Sequence, residues 1–170
     1  IRQIVGQLSG LRLAFIGPFT NVARSLLQAA AITGIDMVVA CPAGYEPDSE
    51  TLDLARAPAS AQGSQVHVLA RPQDAVVDAD VVYTDAWVSI GEEDEAEKRH
   101  RDLSAYQVSE ELMNLGKPGV VFMHCLPARR GEEVAEEVID GPRSLVWRQV
   151  ANHVPAEQAL IRWLIMKGVH

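Results

Sequence analysis

Short runs of apolar residues alternate along the chain with stretches whose apolar residues recur at helical spacing. The runs predict five buried strands, at residues 11–17, 36–41, 65–70, 79–84 and 119–123. The spacing between them predicts helices at residues 21–34, 48–57, 92–101 and 108–115, with a short helical turn at 71–75. Strands that alternate with helices form a parallel sheet covered on both faces. We therefore predict an α/β domain with three layers, α/β/α, and a parallel five-stranded sheet.

The pattern changes after the fifth strand. We expect an acidic helix at residues 132–139, a short apolar element at 145–147 and a terminal helix at 155–167. The apolar residues of the terminal helix cover a wide arc, so this helix either docks on the sheet or packs against something outside the chain. The acidic segments 92–101 and 132–137 are expected to present solvated faces.

Length and charge limit the classes of function. The 170 residues suit a single domain spanning 1–170, and a hydrophobic fraction of 48% provides a sizeable core. A net charge of −8 argues against a nucleic-acid partner and an anionic membrane surface, but permits a small cationic substrate. No apolar run reaches the roughly 20 residues that span a bilayer. Because the chain opens on Ile1 without methionine, we expect a fragment or a processed chain.

Candidate site residues follow the predicted strands. In open α/β sheets, ligands bind beyond the carboxyl ends of the strands. Cys125 follows the fifth strand and Asp85 the fourth, while Asn21 begins the helix after the first. His124 and Cys125 are adjacent, so their side chains should point to opposite sides, one into a cleft and the other into the core. They should therefore share no metal ion and form no nucleophilic pair.

Each candidate also has a purely structural interpretation. Cys125 and His124 are both of residue types that are commonly buried as ordinary core residues. Asp85 would then only cap or turn the chain. The strand-to-helix loop that contains Asn21 would be an ordinary connection, and it lacks the Gly-x-Gly-x-x-Gly pattern of a dinucleotide site. The spacing of Cys41 and Cys125 fits neither a metal finger nor a disulfide framework, which favours a reducing, cytoplasmic setting.

Taken together and in order, these loops resemble the second, ornithine-binding domain of the ornithine carbamoyltransferases. The similar stretches are residues 80–93 (DVVYTDAWVSIGEE), 106–108 (YQV), 122–134 (FMHCLPARRGEEV) and 150–153 (VANH). The resemblance covers almost the whole chain. The related aspartate, acetylornithine and succinylornithine enzymes differ in these loops. The resemblance implies the Rossmann-like aspartate/ornithine carbamoyltransferase fold, with the N-terminal carbamoyl-phosphate-binding domain absent.

The resemblance also implies roles for individual residues. Asp85 would bind the α-amino group of L-ornithine, with Asn21 holding the amino acid head, and Ser89 and Ile90 would belong to a loop that closes over it. Cys125 and Asp85 would be the catalytic residues, with Cys125 beside the δ-amino group and the carbonyl under attack. The list of residues implied to contact carbamoyl phosphate is Cys125, Leu126 and His153. The reaction would give L-citrulline and phosphate, in arginine synthesis, the urea cycle or arginine breakdown, without a cofactor or a metal.

Three departures from the family pattern leave a second interpretation open. The half that grips carbamoyl phosphate is absent, so the isolated domain should be inactive alone. Pro18-Phe19-Thr20 replaces an Asp-Gly-Asn sequence, and His153 replaces an arginine whose bidentate fork a histidine cannot form. The alternative is a non-catalytic relative that binds an amino acid or serves in assembly. In either case the full-length protein is expected to be a homo-oligomer built on trimers.

Overall fold

The five predicted strands are present and form one parallel sheet. The computed structural model describes residues 1–88, 91 and 93–168. Its strands are β1 (Arg12–Ile16), β2 (Asp36–Ala40), β3 (Val66–Leu69), β4 (Val81–Thr84) and β5 (Val121–His124). Within the described residues their order is β3-β2-β1-β4-β5, and every neighbouring pair is parallel. This order places the ends of β1, β4 and β5 side by side.

Helices cover both faces of the sheet, as the alternation of elements predicted. The α-helices of the described residues are α1 (Arg2–Val5), α2 (Asn21–Thr33), α3 (Ser49–Ala61), α4 (Pro72–Val76), α5 (Ala96–Leu103), α6 (Glu110–Met113), α7 (Glu136–Ile139), α8 (Val146–Ala151) and α9 (His153–Lys167). On one face, Phe15 and Met37 of the sheet pack with Leu27 of α2 and with α3. On the other face, Val82 and Phe122 pack with α4, α6 and α7. The three-layer α/β/α prediction is confirmed.

Helix α2 illustrates how local sequence sets the element boundaries. Thr20 is its N-cap, and the hydroxyl oxygen accepts a hydrogen bond from the backbone N–H of Ala23 at 3.4 Å. Gly34 ends the helix in the left-handed conformation, with φ of 76°, which costs glycine little. Both boundaries agree with the sequence prediction. They also fix where Asn21, the first residue of α2, lies at the edge of the sheet.

Two predicted helices are much shorter in the structure. Only Glu110–Met113 of residues 108–115 is helical, and only Glu136–Ile139 of residues 132–139. Val108 and Val134 instead form a parallel bridge, in which Val108 N–H donates to the carbonyl of Glu133 and Ala135 N–H donates to the carbonyl of Val108. Long-range backbone pairing has therefore replaced local helix formation at both sites.

Helix α9 does not dock on the sheet. None of its described residues is buried, and its main contact is with α8. Large apolar side chains of α9 are exposed: Val154, Leu160, Ile161, Trp163, Ile165 and Met166. Of the two interpretations offered by the sequence, the structure therefore favours packing against something outside the described chain. In the described part of the chain, no helix combines the length and apolar character that crossing a bilayer requires.

Candidate functional site

The candidate site lies at the carboxyl edge, where three neighbouring strands end together. Ile16 of β1 is in register with Thr84 of β4, and Thr84 is in register with His124 of β5. The next residues along these strands are therefore Gly17, Asp85 and Cys125, at one edge. Gly17 has a φ of 116°, a backbone conformation that other residues rarely adopt, and this starts the turn into α2. The structure thus brings together segments that are far apart in sequence.

Asp85 is the centre of a small hydrogen-bonded cluster. Its Oδ1 accepts a hydrogen bond from the Cys125 thiol at 2.8 Å and from the backbone N–H of Ala86 at 2.9 Å. Its Oδ2 accepts one from the Thr20 hydroxyl at 2.7 Å. Asp85, Cys125 and Thr20 are all half-buried, so the cluster remains within reach of solvent. The cluster is an anchored carboxylate that borders, through Thr20, a cleft at the carboxyl edge of the sheet, and a carboxylate there suits an ammonium ligand.

Cys125 is a neutral thiol at physiological pH. Burial raises its pKa well above the ordinary value of 9.0, and the Asp85 carboxylate that accepts its hydrogen bond raises it further. Ionisation would place a second negative charge 2.8 Å from Asp85. The thiol therefore acts as a hydrogen-bond donor toward Asp85 and is poorly suited to form a covalent intermediate, which requires a thiolate.

His124 points to the opposite side of β5, as the alternation of a strand predicts. It is fully buried, and its Nδ1 accepts a hydrogen bond from the backbone N–H of Leu126 at 2.9 Å. In the neutral ring this places the proton on Nε2. His124 Nδ1 lies 4.0 Å from the Cys125 sulfur but already holds the Leu126 N–H, so the pair does not work as a thiolate–imidazolium nucleophile.

Glu133 is a site residue that sequence reasoning missed. It was expected on a solvated acidic face, and this expectation is wrong because its side chain is fully buried. The residues before α7 form a turn, which directs Glu133 under the loop that follows β5. Its Oε1 accepts the backbone N–H of Arg129 at 2.6 Å and lies 3.2 Å from His124 Nε2. The one sequence signal was that Glu133 falls within a stretch carrying the family resemblance.

The loop between Cys125 and Glu133 is held from below. Leu126 has a φ of 60°, which is unusual for a residue with a side chain and is more frequent at functional sites. Its N–H is fixed by His124, and the N–H of Arg129 is fixed by Glu133. Arg130 forms a two-pronged ion pair with Asp140 at the surface, which anchors the end of the loop. The fully buried pair therefore orients the backbone that follows Cys125.

The remaining predicted site residues are less closely grouped. Asn21 is exposed and lines a cavity of about 390 Å³ together with Thr20, Tyr45 and Arg99, among others. His153 is exposed and lines a different cavity, of about 260 Å³, whose walls include Met123 and Gln149. Ser89 and Ile90, predicted for the closing loop, lie outside the described residues.

Gln149, in the wall of the cavity beside His153, contacts a tyrosine that lies near the Asp85 cluster. The amide of Gln149 donates a hydrogen bond to the Tyr83 hydroxyl at 2.8 Å. Burial raises the pKa of Tyr83 to about 12, and the nearby Cys125 and Asp85 contribute to this rise. In the described part of the chain, no three His, Cys, Asp or Glu side chains converge as a metal site would require.

Comparison with known proteins identifies the family. The family described as "Aspartate/ornithine carbamoyltransferase, Asp/Orn binding domain" matches residues 9–164. The ornithine carbamoyltransferase of Methanothermobacter thermautotrophicus is 51% identical over 165 residues, which are 97% of this chain and 54% of that protein. The chain thus spans about half the length of the curated relatives it matches.

Solved structures give the same result for the fold. The ornithine carbamoyltransferase from Pyrococcus furiosus superposes with a TM-score of 0.90 at 44% identity, covering 95% of this chain and 51% of that one. The anabolic ornithine carbamoyltransferase from Campylobacter jejuni has a TM-score of 0.90 at 30% identity, covering 98% and 55%. The chain belongs to the aspartate/ornithine carbamoyltransferase family, in which it corresponds to the Asp/Orn-binding domain.

Proposed function

We propose that the chain is the ornithine-binding half of an ornithine carbamoyltransferase. The whole enzyme would transfer the carbamoyl group of carbamoyl phosphate to the δ-amine of L-ornithine, giving L-citrulline and phosphate. The observation that carries this proposal is the Asp85 carboxylate, held by the Cys125 thiol at 2.8 Å at the carboxyl edge of the sheet. The anchored carboxylate can contact the charged α-ammonium of ornithine, and the neutral thiol beside it can contact the δ-amine, which must lose its proton before it attacks.

The amino acid head binds to the Asp85 side of the cleft. The α-ammonium of ornithine pairs with the Asp85 carboxylate, a charge-assisted hydrogen bond of the stronger kind. Asn21, one residue beyond Thr20, offers an amide to the carboxylate of the amino acid. Ser89 and Ile90 complete the contact from the loop after β4 and exclude water when that loop closes.

The δ-amine lies at Cys125. Because this cysteine is neutral and its proton is directed to Asp85, the sulfur lone pairs face the amine and can accept one of its N–H groups. That contact orients the amine lone pair toward the carbamoyl carbon. Most of the acceleration comes from holding both substrates in line and from stabilising the charge that develops on the carbonyl and the phosphate. The δ-nitrogen forms a bond to the carbamoyl carbon, the bond from that carbon to the phosphate oxygen breaks, and phosphate leaves with its electron pair. The proton lost by the amine goes to the departing phosphate or to solvent.

Carbamoyl phosphate would bind between this chain and the other half of the enzyme. Cys125, Leu126 and His153 are the contacts assigned to this chain. A histidine cannot form the bidentate fork of an arginine, so His153 holds the phosphate less well than an arginine does. We expect His153→Arg to tighten carbamoyl phosphate binding about tenfold or more, from the typical strength of a charge-assisted hydrogen bond.

The exposed apolar side chains of α9 provide the surface for that other half. A contiguous row that includes Leu160, Trp163 and Met166 is unusual on the surface of a finished domain. We assign to the full-length protein a homo-oligomer built on trimers, and a cytoplasmic location in keeping with its free thiols, Cys41 and Cys125. Since a similar solved structure is called anabolic, we assign the direction of citrulline formation.

A citrulline assay on the full-length gene product tests the proposal. We expect citrulline from ornithine and carbamoyl phosphate, none from the 170-residue chain alone, and a large loss of turnover in Asp85→Asn. A matched control is Asp78→Asn, a carboxylate near the opposite end of β4. If the full-length protein makes no citrulline when both substrates are present at saturating concentration, the proposal is refuted.

The second candidate is a non-catalytic amino acid-binding protein. The replacement of an arginine by His153 and of Asp-Gly-Asn by Pro18-Phe19-Thr20 favours it. Calorimetry separates the two functions. Ornithine binding without turnover by the full-length protein would support the second candidate, and turnover would eliminate it.

A further inference from the structure

Thr20 has two hydrogen-bonding tasks at once. Its oxygen accepts the N–H of Ala23 at 3.4 Å, which caps α2, and its O–H donates to Asp85 Oδ2 at 2.7 Å. The two residues are 65 positions apart in sequence. Thr20 also stands where the family pattern has an asparagine. Only a side chain that accepts and donates at the same time can serve both partners.

We propose that Thr20 is a positioning residue that fixes the orientation of Asp85, so that the α-ammonium of the substrate binds at Oδ2. This inference rests on the proposed function. A carboxylate has about four acceptor sites. Among the described residues, Cys125 and Ala86 occupy both sites on Oδ1, whereas Thr20 occupies one of the two on Oδ2. One acceptor site on Oδ2 therefore has no donor among the described residues, and it is the one available to the ammonium.

The hydroxyl also restrains the carboxylate against rotation. Without Thr20, Asp85 would be held through Oδ1 alone and could turn about that oxygen. The substrate ammonium would then have to order the carboxylate as it binds, which weakens binding of the amino acid and leaves the carbamoyl phosphate contacts unaffected. The effect therefore appears in the KM for ornithine more than in kcat.

Substitutions at Thr20 separate positioning from helix capping. Thr20→Ser keeps the acceptor and the donor. Thr20→Asp keeps a good cap, because aspartate is among the best N-cap residues, but it cannot donate to Asp85 and brings a second negative charge. Thr20→Val removes both functions with little change of shape.

The experiment compares these variants in the full-length protein by steady-state kinetics, calorimetry with ornithine and thermal unfolding. We expect Thr20→Ser to remain within about threefold of the parent, and Thr20→Val to raise the KM for ornithine about 2- to 10-fold, the cost of ordering one side chain as the substrate binds. The KM for carbamoyl phosphate should stay within about threefold, and Thr20→Ser should unfold at the temperature of the parent.

The pH profile gives a readout that capping cannot move. Two facing carboxylates raise one pKa strongly, so the acidic limb of kcat/KM for ornithine should move to higher pH in Thr20→Asp and stay in place in Thr20→Ser. An unchanged KM for ornithine in Thr20→Val, or an unchanged profile in Thr20→Asp, would overturn the inference and leave Thr20 a helix cap. Equal losses in both KM values with a lowered unfolding temperature would also overturn it.

Failure of the proposed function is distinguishable from failure of this inference. If the parent protein makes no citrulline, the proposed reaction is wrong, and the dissociation constants for ornithine of the same variants still test the role of Thr20. Weaker binding in Thr20→Val, with binding by Thr20→Ser like that of the parent, supports the positioning role. Equal binding by all four proteins refutes it.

Discussion

Replacing Glu133 by alanine should destabilise the chain strongly, although its sequence context is that of a solvated acidic segment. The side chain is 0% exposed, and its Oε1 accepts the N–H of Arg129 at 2.6 Å and lies 3.2 Å from His124 Nε2. The substitution leaves the backbone N–H of Arg129 without its acceptor and removes the carboxylate that lies beside the buried His124 ring. It also leaves space that the surrounding residues fill only in part.

The size of the effect follows from these losses. An unsatisfied buried N–H costs about 1–3 kcal/mol of unfolding free energy, and the partly filled space adds about 2 kcal/mol, so the total is about 3–5 kcal/mol. For a protein of this size, that corresponds to a fall in the unfolding temperature of about 6–20 °C. Glu133→Gln keeps an oxygen for the N–H of Arg129, so we expect a smaller loss of about 1–2 kcal/mol.

Urea unfolding followed by circular dichroism measures these free energies. The matched control is Glu137→Ala, four residues further along the same acidic segment and exposed, which should change the free energy of unfolding by no more than about 0.5 kcal/mol. In the full-length enzyme, Glu133→Gln should also lower kcat, because the loop after Cys125 loses its support. If Glu133→Ala is as stable as Glu137→Ala, Glu133 does not hold the loop that follows Cys125 in place.

Three further predictions concern the thiols and α9. Because burial and Asp85 raise the pKa of Cys125, iodoacetamide should modify this thiol slowly at pH 7 and faster in Asp85→Asn. Mass spectrometry measures the rates, with buried Cys41 as internal reference, and equal rates at Cys125 in the parent and in Asp85→Asn would contradict this prediction. Burial also raises the pKa of Cys41 from 9.0 to about 12 in the folded chain, so its contribution to stability is complete below pH 9 and is lost as the pH rises from about 9 toward 12. The free energy of unfolding in urea should therefore fall less steeply between pH 8 and 11 in Cys41→Ala than in the parent. Parallel pH curves for the two proteins would disprove the assignment. Trp163 is 54% exposed, so Trp163→Ser should change the unfolding free energy of the chain by no more than about 0.5 kcal/mol. The same substitution should reduce the activity of the full-length enzyme, and unchanged activity would argue that α9 is not an interface.

The sequence by itself determined the elements and the loops that matter. Parallel strands buried on both faces must be almost continuously apolar, so all five were visible as short apolar runs. Local chemistry also set the boundaries of α2, because the Thr20 cap and the Gly34 end each depend on neighbouring residues alone. The positions of Asp85 and Cys125 after their strands follow from the same pattern.

Only the tertiary structure decided which of these loops meet. The strand order places β1 between β2 and β4, with β5 outside β4, and apolar runs carry no information about such neighbours. The hydrogen bond from Thr20 to Asp85 therefore could not be foreseen, nor could the burial of Glu133, because long-range bridges replaced the helix that local spacing predicts. The exposure of α9 is of the same kind. The many apolar residues of α9 show that this helix needs a packing partner, but only the packing of the described chain shows whether that chain provides one.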